Sequence, residues 1–185
     1  MSVSVWLVRH GEAAASWGEH EDPGLSELGW AQAEAAAEAL IGVVPSDVVL
    51  LSSPKQRAQD TAQPLARKLG CPVDIAPAYT EVTAPVPLPE RQNWLRTFMG
   101  QMWLEQSEAV LAWRRDMLTH LMALETPTVI FSHFLAINAL VAHVRQDAKT
   151  VQFWPDNASI HHFSVDPEGD LRLHALGREM ETRIN

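Results

Sequence analysis

The order of apolar runs and helical patterns predicts an α/β fold of three layers, α/β/α, with a mostly parallel central sheet and a late hairpin at its edge. Three observations carry this. Short apolar runs alternate with helical patterns through most of the chain, the arrangement of βα units whose parallel strands are covered by helices on both faces. The last two apolar runs have no helix between them, only Pro167-Glu168-Gly169, a turn signal. The 185 residues suffice for one well-buried core and are too few for two ordinary domains.

Each element has a local reason. Val3 to Val8 is an apolar run of strand length. Ser26 is a helix cap, followed by an alanine-rich pattern from Glu27 to Leu40 that Gly42 closes, with Leu28, Ala31, Ala35 and Ala39 as the expected inner stripe. Val48 to Leu51 is the second strand. Ser52, Ser53 and Pro54 form a helix start, with the proline near the first helical position, and the helix runs to Leu69 before Gly70. Val73 to Ile75 is a third, short strand. Thr83 to Pro89 holds three prolines without periodicity and reads as a loop, the natural place for an insertion over a site.

Two helical patterns follow, Arg91 to Met99 and Ser107 to Leu124, the second with Val110, Leu111, Met117, Leu118 and Leu121 on one side. Residues 83–106 are therefore expected to be a helical, proline-rich insertion within a single domain spanning 1–185. Thr128 to Phe131 is a buried strand and Phe134 to Val144 a helix. Ser159 to Val165 and Leu171 to Leu176 form the hairpin.

Composition excludes several classes of partner. With 14 basic residues and a net charge of −9, the chain lacks the clustered Lys and Arg that binding to nucleic acid or an anionic membrane requires. Cys71 is the single cysteine, so no internal disulfide can form, which suits a reducing compartment. It is expected in the core. The amino terminus lacks the charged and apolar regions of a signal peptide, and the longest apolar stretch, Phe134 to Val144, is about half a membrane span. A cytoplasmic protein is the expectation.

The chemistry concentrates where the first strand ends. Arg9-His10-Gly11-Glu12 delivers a cation and an imidazole to the carboxyl end of a strand, where open α/β sheets place their ligand sites. Gly11 lets the backbone turn closely. If strands one, two and four are parallel neighbours, their carboxyl ends bring together Arg9-His10, the Ser52-Ser53-Pro54 helix start with Arg57 one turn inside, and Ser132-His133. Two arginines, two histidines and a helix terminus at one edge suit a small, multiply charged oxyanion, and phosphate fits best.

These residues resemble the histidine phosphatase superfamily, also called the phosphoglycerate mutase-like family. Arg9-His10-Gly11 matches its Arg-His-Gly signature. PGLSELGWAQA, from Pro23 to Ala33, resembles the family's first helix entry, and SSPKQRAQDTA, from Ser52 to Ala62, resembles the block that supplies a second arginine. Ser132-His133 is similar to the second histidine, and Asn157-Ala158-Ser159-Ile160 to the late asparagine-centred segment.

The resemblance implies a phosphoglycerate mutase-like fold and a set of roles. His10 is the nucleophile that becomes phosphohistidine, while Arg9, Arg57 and His133 bind the phosphoryl oxygens. Glu81 stands where the family keeps its general acid, with Glu90 and Glu12 as alternatives. Ser16 and Asn157 are the further substrate-binding candidates. Two departures stand out: Ser16 replaces the asparagine found in many members six residues after the nucleophile, and no Gly-Trp-Glu-Gly-like segment follows Glu81.

The implied function is a metal-independent phosphatase of the histidine acid phosphatase type. It would hydrolyse a phosphomonoester, either a small metabolite or a phosphorylated side chain of a protein, without cofactor or metal. A cofactor-dependent phosphoglycerate mutase-type phosphotransferase is the alternative, disfavoured because the chain is short and leaves little room for a cap over a bisphosphate. A non-catalytic phosphoanion-binding protein is the alternative of another class.

The remaining chemistry-bearing residues have plainer readings. His161 and His162, adjacent in a strand, point to opposite faces and cannot hold one ion together. Trp94, Trp103 and Trp113 are expected in core or lid packing, with substrate stacking open for one of them. Arg91 and Arg96 border the insertion and are expected as solvated helix positions, with a second anionic group of the substrate as the alternative. Glu19, Glu21 and Asp22 are expected as a solvated loop.

Overall fold

The computed structural model describes residues 1–16 and 19–181. A six-stranded sheet in the order β3-β2-β4-β1-β5-β6 forms its middle layer. β1 (Val3–Arg9), β2 (Val49–Ser52), β3 (Val73–Ile75) and β4 (Thr128–Ser132) run parallel, and β5 (Ile160–Val165) and β6 (Leu171–Ala175) are antiparallel to their neighbours. β1 is central, paired with β4 on one side and β5 on the other. The parallel order β2-β4-β1 brings three strand ends to one edge, as the sequence predicts.

Alternation along the strands divides the core in two. Val5 and Leu7 of β1 and Ile130 of β4 face a layer made by α4 (Glu108–Met122) and α5 (Phe134–Arg145). Trp6 and Val8, with Val129 and Phe131, face α1 (Glu27–Ile41) and α2 (Gln56–Leu69). Five buried β4 residues in a row reflect its position between parallel neighbours, covered on both faces. The hairpin turns at Gly169, whose φ of +89° is open to glycine at no steric cost.

α1 is capped as expected, the Ser26 hydroxyl accepting from the Gly29 N–H at 3.0 Å. Its inward face differs from the expected stripe. Gly29, Ala33, Ala36, Ala37 and Leu40 are buried, while Leu28 is exposed. The reason is backbone contact at the start of the helix. A Cβ on Gly29 would lie 2.2 Å from the Glu12 carbonyl oxygen, and one on Gly11 would lie 2.6 Å from that of Gly29. This double close approach fixes the rotation of the helix, outweighing the burial of Leu28. Gly11 is thus needed for packing against α1.

α2 begins at Gln56, two residues beyond Pro54, and Lys55 at its cap position makes no side-chain capping bond. Asp22 supplies it instead, its Oδ1 accepting from the Gln56 N–H at 2.9 Å. The helix ends at Gly70 in the left-handed conformation. Cys71 is half-buried at the rim of the core beside this stop, where the chain surfaces, and burial raises its thiol pKa.

α3 (Arg91–Met99) and α4 follow the predicted bounds closely, with Val110, Met117, Leu118 and Leu121 buried. Phe98 and Trp103, from residues 83–106, enter the same core as α4 and α5. Trp94 stacks on Phe98 and the Trp113 indole donates to the Thr80 carbonyl at 2.9 Å, so all three tryptophans of this region serve packing. His161 packs against Phe153 on one face of the sheet and His162 stacks on Trp6 on the other. Among the described residues no helix is long and apolar enough to cross a membrane, and no group of three or more His, Cys, Asp and Glu is placed to hold a metal ion.

Candidate active site

The carboxyl ends of β1, β2 and β4 deliver Arg9 and His10, the α2 start with Arg57, and His133 to one place. His10 is nearly buried, and its ring lies 5.3 Å from that of His133, centroid to centroid. Nδ1–H of His10 donates to the Gly11 carbonyl at 2.7 Å. That bond leaves Nε2 unprotonated, and Nε2 accepts from the Arg57 Nε–H at 3.2 Å. Burial, reinforced by the Arg9 and Arg57 charges, holds the His10 pKa well below its usual value. A neutral imidazole with an aligned lone pair is the form a nucleophile requires.

Loop contacts hold this junction from several sides. The His10 N–H donates to the Ser132 carbonyl at 3.1 Å, and the Arg9 N–H to the Ser159 carbonyl at 3.1 Å. The Gly11 N–H donates to Thr61 Oγ1 at 3.0 Å, and that hydroxyl donates to the Arg57 carbonyl at 2.7 Å. The nucleophile candidate and the second arginine are therefore linked through α2.

His133 is fully buried and its Nε2 shares a 2.7 Å hydrogen bond with Ser53 Oγ. Its Nδ1 is buried without a partner. Burial first, with the Arg57 and Arg9 charges adding to it, keeps this ring neutral as well. Ser53 reads from sequence as part of a helix start; its service to His133 depends on the pairing of β2 with β4.

Burial lowers the pKa of Arg9 to about 10, opposed by Glu81 and Asp156, and both Arg9 and Arg57 stay cationic near neutral pH. Arg9 Nη1 donates to the Pro155 carbonyl at 2.8 Å, and its guanidinium lies over the Phe134 ring, 5.3 Å from the centroid. Its Nε is buried and unpartnered.

Glu81 caps α5. Its Oε2 accepts from the Leu135 N–H at 2.9 Å, and its Oε1 from those of Ala136 at 2.9 Å and Val82 at 3.2 Å. Burial raises its pKa against the pull of these bonds and of Arg57. Glu12, by contrast, accepts from the Ser26 hydroxyl at 2.9 Å, and Glu90 is exposed outside the cavity.

A cavity of about 840 Å³ opens over Arg9, His10, Arg57 and Glu81, whereas His133 is fully buried and is not part of its lining. Ser16 and Asn157 both line it, as do Thr83, Ala84, Leu88, Leu95 and Met99 from the 83–106 region. Arg91 lines it too, with a buried, unpartnered Nε, whereas Arg96 does not. The acidic loop is solvated as expected, with Glu19, Glu21 and Asp22 all exposed; Glu19 and Glu21 also line the cavity, and Asp22 caps α2. Trp154, Phe134 and Met180 form an aromatic and sulfur-bearing wall that sequence reasoning did not single out. No local pattern marks them, because each arrives from a distant part of the chain.

The family model described as histidine phosphatase superfamily (branch 1) matches residues 5–177. Among curated proteins no sequence match was found. Solved structures share the architecture. A mycobacterial glucosyl-3-phosphoglycerate phosphatase in complex with VO3 is 25% identical, covering 95% of this chain and 98% of its own, with a TM-score of 0.71. An Entamoeba histolytica phosphoserine phosphatase in complex with 3-phosphoglyceric acid is 20% identical, covering 95% of this chain and 97% of its own, also at 0.71.

Proposed function

The chain belongs to the histidine phosphatase superfamily, and from that premise we propose that it is a metal-independent phosphatase of the histidine acid phosphatase type, hydrolysing a phosphomonoester through phosphohistidine on His10. One observation carries the reading: His10 is held neutral, its Nδ1–H fixed on the Gly11 carbonyl and its Nε2 lone pair aligned by Arg57.

In the first half-reaction Nε2 attacks phosphorus, an N–P bond forms and the bond to the ester oxygen breaks. Arg9, Arg57 and His133 donate to the equatorial oxygens as charge redistributes, so these preorganised groups do most of the work. The guanidinium groups provide charge stabilisation that a metal provides elsewhere. Glu81, protonated on the oxygen that accepts one backbone bond, gives its proton to the leaving oxygen. In the second half-reaction the Glu81 carboxylate takes a proton from water, the water attacks phosphorus, the N–P bond breaks and phosphate leaves.

The cavity supports a substrate with a sizeable organic part, since about 840 Å³ is the scale of pockets for drug-sized ligands and far exceeds one phosphate. Ser16 and Asn157, both on its lining, are the proposed contacts to that substrate. The relatives named above act on phosphorylated metabolites by their names, and the same class is proposed here, with phosphorylated protein side chains as the wider panel.

The test is a rapid alkaline detergent quench with phosphorus-labelled p-nitrophenyl phosphate, which should trap a base-stable label on wild type that is lost on later acid treatment, and none on His10→Ala. Equal turnover by both proteins would exclude the covalent mechanism. Isomerisation of phosphoglycerate dependent on a bisphosphate primer would replace the phosphatase reading with a mutase.

A further inference from the structure

The carboxyl-terminal segment past β6 returns to the site. Gly177 starts the return: a Cβ there would lie 2.3 Å from the Ile160 carbonyl oxygen, so the close passage admits only glycine. The Gly177 N–H donates to Nδ1 of the buried His161 at 2.9 Å, and His161 Nε2 in turn bonds Ser159 Oγ at 2.8 Å. Beyond this, Glu179 bridges to Pro155, the Asp156 N–H donates to the Arg178 carbonyl at 3.0 Å, and the Met180 N–H donates to the Trp154 carbonyl at 2.8 Å. The outcome is a strap along residues 154–156 that sets Met180 in the cavity wall.

Met180 Sδ accepts from Arg9 Nη1 at 3.6 Å, and the same nitrogen donates to the Pro155 carbonyl. Three groups therefore hold the Arg9 guanidinium in contact: a carbonyl, the Phe134 ring and a thioether. None of them carries a charge. The carboxylates of Glu81 and Asp156 act on Arg9 through space, and no salt bridge to Arg9 forms among the described residues.

This arrangement solves a specific problem. A carboxylate partner would orient the guanidinium strongly, by a bidentate pair, and would occupy the donors and offset the charge that an oxyanion needs. A thioether accepts weakly, from the one nitrogen already turned to Pro155, and leaves the charge and the other donors intact.

We propose that Met180 is a positioning residue for Arg9, an uncharged acceptor that the carboxyl-terminal strap delivers so that the guanidinium is aimed at the phosphoryl oxygens without being neutralised. The inference rests on the phosphatase reading, in which Arg9 binds those oxygens.

Three variants test it, read by the inhibition constant of inorganic phosphate and by kcat/KM on p-nitrophenyl phosphate. Met180→Leu keeps the volume and removes the acceptor, and phosphate should bind about fivefold more weakly. Met180→Gln returns a neutral acceptor and should restore binding to within about twofold of wild type. Met180→Glu, matched in shape to Gln, should weaken phosphate by about tenfold or more, because it pairs with the guanidinium. Leu equal to wild type, Gln no better than Leu, or Glu no worse than Gln would each overturn the proposal. A wild type that hydrolyses the ester normally while the three variants behave alike removes this inference only. A wild type that neither binds phosphate nor hydrolyses the ester removes the phosphatase reading and the inference with it.

Discussion

Arg57 and His10 meet through their ε nitrogens, Nε–H of the arginine donating to Nε2 of the histidine across 3.2 Å. The contact aligns the lone pair that attacks phosphorus, and it must be surrendered as that atom bonds. Arg57 is then free to follow the developing charge onto an equatorial oxygen. Arg57→Ala should lower kcat/KM by a factor of about 100 or more, in line with the roughly 3 kcal/mol of a well-placed donor to a developing oxyanion. Arg57→Lys, which lacks the planar fork, should recover little of it. Steady-state kinetics on p-nitrophenyl phosphate decides, and an unchanged specificity constant would remove Arg57 from the site.

Glu81 should show its role through the leaving group. Glu81→Gln retains a carbonyl acceptor for the start of α5 but has no proton to give. Turnover of an alkyl phosphate should fall by about 100-fold or more, within the usual range for general acid catalysis, and p-nitrophenyl phosphate should lose much less. Equal losses on the two esters would show that the carboxyl acts only as a helix cap.

Stability should fall as the solution is acidified from pH 7 toward 5. His10, His133 and His161 are neutral in the folded chain, and burial brings His161 to a pKa of about 4. A depressed histidine pKa means that the unfolded chain binds the extra proton first. The stabilisation is complete above the unfolded value of about 6.5 and is lost as pH drops below it, at roughly 1.4 kcal/mol per pH unit for a fully buried ring. Glu81, with its raised pKa, works in the opposite sense, losing stability as pH rises above the ordinary carboxyl range. Three rings against one carboxyl set the net direction. Thermal unfolding at pH 7, 6 and 5 should show a falling Tm, with a shallower decline for His161→Gln. Equal slopes for the two proteins would contradict the assignment of His161 as a buried neutral ring.

The contact between Gly29 and Glu12 predicts an asymmetry along α1. Gly29→Ala places a methyl group against a backbone carbonyl and should cost roughly 2–3 kcal/mol, as overpacking does where the backbone cannot yield. Leu28→Ser, one residue away, should stay within about 0.5 kcal/mol, since Leu28 is exposed. Urea unfolding compares them, and the reverse order would return Leu28 to the inner face of the helix.

The parts of this protein that are legible in its sequence are those with local causes. The strand before Arg9-His10, the cap at Ser26, the stop at Gly70, the bounds of α3 and the turn at Gly169 each follow from residues a few positions apart. The convergence of Arg9, His10, Arg57 and His133 is also legible, because parallel neighbours place their carboxyl ends together. The face of α1 is not, since two backbones in contact at Gly11 and Gly29 decide it. Ser53 as the partner of His133, Asp22 as the cap of α2 and Met180 beside Arg9 all depend on segments that meet only after folding. That the solvated acidic loop also reaches the cavity, through Glu19 and Glu21, is hidden for the same reason.

The central place of β1 has a consequence for timing. Its amides are locked into ladders on both sides, to β4 and to β5, so they exchange with solvent only when the whole sheet opens. The strap that carries Met180 is held by a few isolated bonds and can peel away while the sheet stays closed. The imidazole and one wall of its cavity are therefore expected to exchange at very different rates. Deuterium uptake should appear within the strap long before Leu7 and Val8, and equal uptake would show the strap to be as firmly held as the central strand.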